Sequence, residues 1–316
     1  MTDRRRPAAE SFPRAAARAA SLAACAGLLI CQQTPLAAAA PPRHDRRADS
    51  APSFFLTPIS NYSAQSAALT PLQRRIEVER RRLASDDEEE RREAVERLGA
   101  MSHREASRAA TTALADRAAI VRATAARAVV SLGSQDVAAL LTPLLSDRDE
   151  FVRREAAYAL GSARNRESVA ALVNLLERDR QASVRGAAAV ALGQIGEATA
   201  APALAAALSR RVRASGVVAR ITRARRDEDP FVRRSAAAAL GLLRSREGVP
   251  ALVDVLSNEK AEDDLRREAA VALGLIGDPA AIPHQRAALT ARDPHLSRAA
   301  FEALRRLDPA GAVRPS

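Results

Sequence analysis

The stretch FVRREAAYALG, residues 151–161, recurs as FVRRSAAAALG at residues 231–241. When the chain is aligned on the residue that precedes the arginines of this motif, seven similar segments follow one another at intervals of 31, 31, 32, 48, 33 and 31 residues. The aligned residues, called anchors below, are Glu90, Val121, Val152, Val184, Val232, Leu265 and Leu296. A repeat of this length cannot bury a core alone, so the pattern predicts units that stack on one another.

Each repeat contains two segments with helical spacing. In the second segment of the third repeat, Val152, Ala156 and Leu160 form one apolar stripe, and Gly161 is predicted to act as the C-cap of that helix. Prolines begin several of the first helices, and Thr70, Pro71 and Gln73 form a capping box at the start of the array. Ala and Leu, which have the highest helix propensities, dominate the apolar content. The sequence therefore predicts an all-α fold, an α-solenoid of about seven helix pairs over residues 70–308.

The recurring core VRxxAAxALGxIG resembles the HEAT repeat, specifically the short HEAT-like type also found in phycobilisome lyases. It is seen in DEDPFVRRSAAAALG, DDLRREAAVALGLIGDPAAIP and SVRGAAAVALGQIGEATAAPAL, and the resemblance covers roughly residues 72–307. The departures, such as Glu90 at the first anchor and Ser297 in the last repeat, fall mainly near the ends. This resemblance implies that the second helix of each pair lines a concave face on which partners bind.

An arginine directly follows six of the anchors: Arg91, Arg122, Arg153, Arg185, Arg233 and Arg266. In four repeats an aspartate lies six residues before that arginine, in the turn between the helices: Asp116, Asp147, Asp179 and Asp227. We expect the arginines to pair with turn carboxylates or carbonyl groups of their own or the next repeat, forming a structural ladder. The alternative is a stripe that binds phosphate.

A second column lies opposite the buried stripe. It contains Arg154, Arg234, Arg267 and Arg298, with Tyr158 one turn further along the third repeat. Arginines beside small apolar residues are predicted to bind an acidic or amphipathic segment of a protein partner. The competing interpretation is a solvated helix face in an arginine-rich chain.

The long interval reflects a basic insertion at residues 209–226, which contains seven arginines and no acidic residue. Val217, Val218 and Ile221 recur at helical spacing, which predicts a basic amphipathic helix. Its arginines are the second set of candidate binding residues: Arg213, Arg220, Arg223, Arg225 and Arg226. They could contact an acidic partner or an anionic membrane surface, or the helix could pack on its neighbours and leave them solvated.

The N-terminus has the features of an export signal. Five arginines precede an uncharged run from Ala19 to Cys31, followed by small residues that fit cleavage after Ala39. These features predict a signal peptide at residues 1–39, a Pro/Ser-rich linker at 40–69 and a tail at 309–316, in an exported, periplasmic or envelope-associated protein. LAAC at residues 22–25 offers an alternative, a lipoprotein anchored at Cys25.

No motif for catalysis, a cofactor or a metal is recognised in the sequence. It contains no HExxH, GxSxG or glycine-rich phosphate loop, and no histidine is followed by glutamate. Export and an aromatic content of only 3% disfavour nucleic acid as a partner. The sequence therefore predicts a non-catalytic scaffold that binds a protein partner in the cell envelope, with binding to acidic lipid as the alternative and a lyase-like enzyme as a third reading.

Overall fold

The structure is a computed structural model that describes residues 69–213 and 225–310. The predicted signal peptide, all of the predicted linker except residue 69, residues 214–224 of the insertion and residues 311–316 of the tail lie outside the described residues.

Fourteen α-helices form seven consecutive pairs in the described ranges, as the repeat pattern predicted. Short 3-10 turns precede or follow several of them. The first helices of units 1 to 7 are α1 (Pro71–Arg82), α3 (Arg104–Ala110), α5 (Ser134–Leu141), α7 (Val169–Arg178), α9 (Ala201–Ser209), α11 (Val249–Ser257) and α13 (Ile282–Ala288). The second helices are α2 (Glu88–Ala100), α4 (Ala119–Ala128), α6 (Glu150–Ser162), α8 (Ala182–Ile195), α10 (Pro230–Leu243), α12 (Asp263–Ile276) and α14 (Pro294–Leu307).

Local signals in the sequence account for where these helices begin. The Thr70 hydroxyl accepts a hydrogen bond from the Gln73 amide and the Gln73 side chain accepts one from the Thr70 amide, which confirms the capping box. Four second helices, α2, α6, α10 and α14, begin after an aspartate whose carboxylate accepts a backbone N–H of the first turn. Two of these caps, Asp149 and Asp229, lie in the same turns as the carboxylates of Asp147 and Glu228.

The core runs without interruption through the stack. Each second helix packs against its own first helix and against the second helices on either side. Buried Ala, Val and Leu side chains fill these contacts, and Leu160 is completely buried among them. Because no single pair encloses a core, the stability of each unit depends on its neighbours.

The glycine of the repeated motif does not act as the predicted C-cap. Helix α6 continues past Gly161 and ends at Ala163, which has right-handed backbone angles. A Cβ atom at Gly161 would lie 2.6 Å from the Ala191 Cα of α8, a distance that real Cβ atoms do not reach. Glycine is needed here because the two helix backbones approach each other closely. Left-handed C-caps occur at other positions, namely Gly196, Gly277 and Arg244.

Replacing Gly161 with Ala is therefore expected to lower the free energy of unfolding by about 1 to 3 kcal/mol, the usual cost of overpacking. Gly133→Ala is the matched control, because φ is −59° at Gly133 and the nearest atom to a new Cβ would be 3.8 Å away. We expect that control to change the free energy of unfolding by less than about 1 kcal/mol, because the smaller entropy of the unfolded chain is opposed by the poorer N-cap preference of alanine. Urea denaturation measures both variants, and equal stability of Gly161→Ala and the wild type would contradict the close-approach role.

The ends of the insertion differ from the predicted helix. Strand β1 (Arg211–Arg213) pairs antiparallel with strand β2 (Arg225–Asp227), so that the insertion leaves and re-enters the stack through a short two-stranded ribbon. Pairing the two ends satisfies the backbone N–H and C=O groups that face each other across the ribbon. Residues 214–224, the remainder of the predicted helix, lie outside the described residues.

Candidate functional site

The arginine ladder occupies the turns between the helices of successive units. Arg122 on α4 donates two parallel hydrogen bonds to the Asp147 carboxylate of the next unit, Nε to Oδ2 at 2.8 Å and Nη2 to Oδ1 at 2.8 Å. Its Nη1 donates to the carbonyl oxygen of Asp116 in its own turn at 2.9 Å. Each such arginine, with the carboxylate that it binds, is called a rung below. The other rungs are Arg91 with Asp116, Arg153 with Asp179, and Arg185 with Glu228.

Buried charge and directed hydrogen bonds set the electrostatics of the rungs. The hydrogen bond from Arg91, together with one from the Ala118 amide, lowers the pKa of Asp116 despite partial burial. Burial alone would raise the pKa of Asp147, but hydrogen bonds from Arg122 and from the Asp149 amide outweigh burial and lower it. Asp116 and Asp147 are therefore held ionised. The ladder joins adjacent units.

The predicted ladder is confirmed, although its last two positions differ from the rest. Arg233 donates to the Leu208 carbonyl oxygen at 2.9 Å and lies 3.7 Å from Asp227 of its own unit. Arg266 donates to the Leu256 carbonyl oxygen at 3.1 Å. In the four rungs the guanidinium groups are already occupied by carboxylates and carbonyl groups, so the alternative of a phosphate-binding stripe is not supported there.

The second-helix face is the surface formed by the outward sides of the seven second helices. Arg154 and Tyr158 lie on this face of α6, as predicted, and both are partly buried. The Arg154 guanidinium lies 4.9 Å from the centre of the Phe151 ring and 3.1 Å from the Glu155 carboxylate. Burial raises the pKa of the Tyr158 hydroxyl. These residues form a mixed aromatic and charged cluster in unit 3.

The other predicted arginines of this face are paired with carboxylates. Arg234 lies 3.2 Å from Asp264 on the next second helix, and Arg267 lies 2.6 Å from Asp293 in the following turn. Arg298 pairs with Glu302 of its own helix at 3.0 Å. The arginine column is thus neutralised within the fold, and it presents little net positive charge to a partner.

Sequence reasoning missed the apolar residues immediately before the anchors. Phe151 is 48% exposed on the second-helix face, and Ile120 and Phe231 are exposed at the equivalent positions of units 2 and 5. The Phe231 ring lies over Gly186 of α8, where a Cβ atom would be only 2.1 Å from it. The phenylalanine shared by the two FVRR motifs was the signal that could have identified this position.

The apolar strip is defined as Ile120, Phe151, Tyr158, Phe231 and Val271, which lie on the second-helix face of units 2, 3, 5 and 6. Glu268 lies on α12 one turn before Val271 and is partly buried. Burial raises the pKa of Glu268, and the attraction of Arg234 offsets this only in part. The environment in this part of the face is therefore less polar than water.

Three of the five predicted arginines of the insertion fall within the described residues. The backbone of Arg213 pairs with that of Arg225, and Arg226 pairs with Val212, in the two-stranded ribbon. Arg220 and Arg223 lie outside the described residues.

No group of three or more His, Cys, Asp or Glu side chains is placed to hold a metal ion within residues 69–213 and 225–310. In the same ranges no helix has both the length and the apolar character required to cross a bilayer.

Known proteins resemble the chain at the level of family and fold. The phycocyanin lyase complex of CpcE and CpcF from Nostoc sp. PCC7120 is 25% identical, with 81% of this chain and 92% of that chain aligned and a TM-score of 0.46. YibA of E. coli is 20% identical over 74% of this chain and 81% of its own, with a TM-score of 0.52. Human deoxyhypusine hydroxylase is 21% identical over 74% and 84%, with a TM-score of 0.36.

No curated protein sequence matches the chain. The family model for HEAT repeats matches residues 80–161, 140–219 and 217–305, which together cover more than half of the sequence. The repeat period, the helix pairs and the arginine ladder agree with that match, and the chain belongs to the HEAT-repeat family.

Proposed function

We propose that this chain is a non-catalytic scaffold that binds a segment of a protein partner across the second-helix face. The observation that carries the proposal is the apolar strip. Phe151 and Phe231 in this strip are exposed to solvent, and burying their side chains against a partner would be favourable. HEAT-repeat arrays in general mediate protein interactions, which supports a binding role for this one.

The charge of the face favours an amphipathic partner over a purely acidic one. Arg154, Arg234 and Arg298 each have a carboxylate neighbour, so an acidic segment would have to compete with Glu155, Asp264 and Glu302 for them. Apolar contacts do not face that competition. Aromatic anchors surrounded by paired charges are typical of the centre of a binding surface.

The dimensions of the apolar strip suit a helix. Neighbouring packed helices lie about 8 to 10 Å apart, so the part of the strip from Phe151 on α6 to Val271 on α12, which is three helix steps, spans about 24 to 30 Å. An α-helix of about 16 to 20 residues has that length. We therefore propose an amphipathic helix whose apolar side contacts the strip.

The non-catalytic role and the envelope location are parts of the same proposal. The first is supported by a sequence without the common hydrolase, metalloprotease and phosphate-loop motifs. The second is supported by the arginines, apolar run and small residues of positions 1–39.

Affinity capture from envelope extract tests the binding surface when two variants are compared with the wild-type mature chain. Replacing Phe151 and Phe231 with Ser should weaken binding of the captured partner at least about tenfold, since aromatic anchors of this kind contribute 2 kcal/mol or more. Replacing Arg298 with Gln is the control, because this exposed pair is expected to matter little. A photo-crosslinking residue at position 158 should then form a covalent crosslink to the same partner. Full binding by a folded double serine variant would contradict the proposal.

The insertion supports a second candidate, binding to an anionic surface. Its seven arginines carry no compensating acid within residues 209–226. Replacing Arg220, Arg223, Arg225 and Arg226 with Gln should abolish binding to vesicles that contain acidic lipid, and salt should weaken wild-type binding steeply. Vesicle binding that is absent, or that persists in the Gln variant, would remove this candidate and leave the second-helix face unaffected.

A further inference from the structure

The four complete rungs show which ligand an arginine at this position of the repeat takes. Arg91, Arg122, Arg153 and Arg185 each bind both oxygens of one carboxylate from the following unit. In each case Nη1 also donates to carbonyl groups of the arginine's own turn. Two parallel N–H donors of a guanidinium match the planar carboxylate group.

Arg266 has the same place in unit 6 but has no such carboxylate. It directly follows the anchor Leu265 and is partly buried, and only its Nε makes a hydrogen bond, to the Leu256 carbonyl oxygen at 3.1 Å. Within the described ranges no ion pair of Arg266 is found. Its Nη1 and Nη2 groups therefore keep four N–H donors without an acceptor among the described residues.

The missing partner has a sequence cause. Ala291 lies five residues before the anchor of unit 7, as Asp147 lies five residues before the anchor of unit 3. The backbone of the two turns is alike, since two bend residues separate each of these positions from the following helix. A methyl group thus stands where units 2 to 5 have the carboxylate of an aspartate. The junction of units 6 and 7 is bridged instead by Arg267, which pairs with Asp293 at 2.6 Å.

A cavity of about 520 Å³ opens at this point, lined by Arg266, Thr290, Ala291 and Arg292 together with Glu259, Asp263 and Asp293. The acid nearest the missing position, Asp293, is already the N-cap of α14 and the partner of Arg267. The equivalent residue in unit 3 is Asp149, the N-cap of α6, and there Arg122 still binds the carboxylate of Asp147. An N-cap aspartate at this position therefore does not prevent the arginine from binding a carboxylate.

The charges around Arg266 are mixed, because the cavity is lined by two guanidinium groups and three carboxylates, and one of these carboxylates, Asp293, is already paired with Arg267. Five residues before the anchor that precedes Arg266 stands Lys260, where the equivalent residue for Arg122 is Asp116. Arg292 adds a second guanidinium to the lining. The exposed acids Glu259 and Asp263 would repel a doubly charged phosphate more strongly than a singly charged carboxylate.

We propose that Arg266, with Arg292, binds one carboxylate group supplied from outside the chain, from an acidic side chain or the C-terminus of a bound polypeptide. This subsite lies at the turn edge of units 6 and 7, and it stands independently of the proposed role of the second-helix face. The ligand takes the place that Asp147 has in its rung.

The side-chain Nε–H signal of Arg266, observed by NMR in the mature chain, tests the proposal. N-acetylglycine, which mimics a chain terminus, and N-acetylaspartate α-amide, which mimics an acidic side chain, are titrated at constant ionic strength. We expect at least one of them to shift the Arg266 signal in a saturable way, and the one that does so identifies the source of the carboxylate. Inorganic phosphate should produce a weaker response.

Ala291→Asp is the matched variant, because it restores the carboxylate within the chain. We expect this variant to show the Arg266 signal already shifted before any addition, to lose the response to both compounds, and to melt at a higher temperature than the wild type. The proposal is overturned if neither compound shifts Arg266 in the wild type, if phosphate acts as strongly as the carboxylates, or if Ala291→Asp keeps the full response.

Discussion

Replacing Arg122 with Gln will lower the free energy of unfolding by about 3 to 5 kcal/mol, the cost of removing one partner of a buried ion pair. The side chains of Arg122 and Asp147 are only 9% and 10% exposed. Without the guanidinium, Asp147 keeps a buried negative charge, and two turn carbonyl groups lose their donor. Urea denaturation at neutral pH measures the loss. Arg298→Gln is the control, because Arg298 and Glu302 are 79% and 54% exposed and such pairs contribute about 0 to 1 kcal/mol.

The same variant has a predictable dependence on pH. The folded pKa of Asp147 lies below its usual value, so the pair stabilises the fold above the unfolded pKa of about 3.9. That stabilisation is lost as the pH falls through the folded pKa. The difference in the free energy of unfolding between Arg122→Gln and the wild type should therefore become smaller at acidic pH. A cost as small as that of Arg298→Gln, or one that does not change with pH, would contradict the role of the rung.

Replacing Leu160 with Ala will lower the free energy of unfolding by about 2 to 5 kcal/mol, because Leu160 is completely buried and its removal leaves a cavity between units. The size within this range depends on how far α6 and its neighbours can close the space. Chemical denaturation followed by circular dichroism gives the value.

Leu242 provides the comparison for Leu160. It is also a leucine on a second helix, but it is 60% exposed. Its replacement by Ala should change the free energy of unfolding by less than about 0.5 kcal/mol, as is usual for surface substitutions. Equal losses for the two leucines would mean that burial does not distinguish them.

The class of fold was predictable because it depends on short-range periodicity. Val152, Ala156 and Leu160 recur at helical spacing in a motif that returns about every 32 residues, and stacking is the physical way for such pairs to bury their stripes. The ladder was predictable for a related reason. The spacing of Asp147 and Arg153 is the same as in neighbouring repeats, so one geometry repeated along the stack brings each arginine to the next turn.

The candidate binding surface was predictable only in part. The sequence correctly predicted that Arg154 and Tyr158 lie on the second-helix face. The spacing of residues did not predict the groups around them, such as the Glu155 carboxylate beside Arg154. The pairing of Arg234 with Asp264 depends on how two helices of different units are arranged, which a helical wheel of one unit does not contain.

The sequence by itself determined the helices, their number and the identity of the buried stripe, because these follow from local propensity and from the period of apolar residues. Only the tertiary structure decided what depends on distances between units. Gly161 is required by the approach of Ala191, and Phe231 lies over Gly186 because that residue has no side chain. Arg266 lacks a carboxylate because Ala291, a residue of another unit, occupies the facing position. Such contacts are made by residues far apart in the chain. They are determined by how the units pack on one another, and local conformational preference does not predict them.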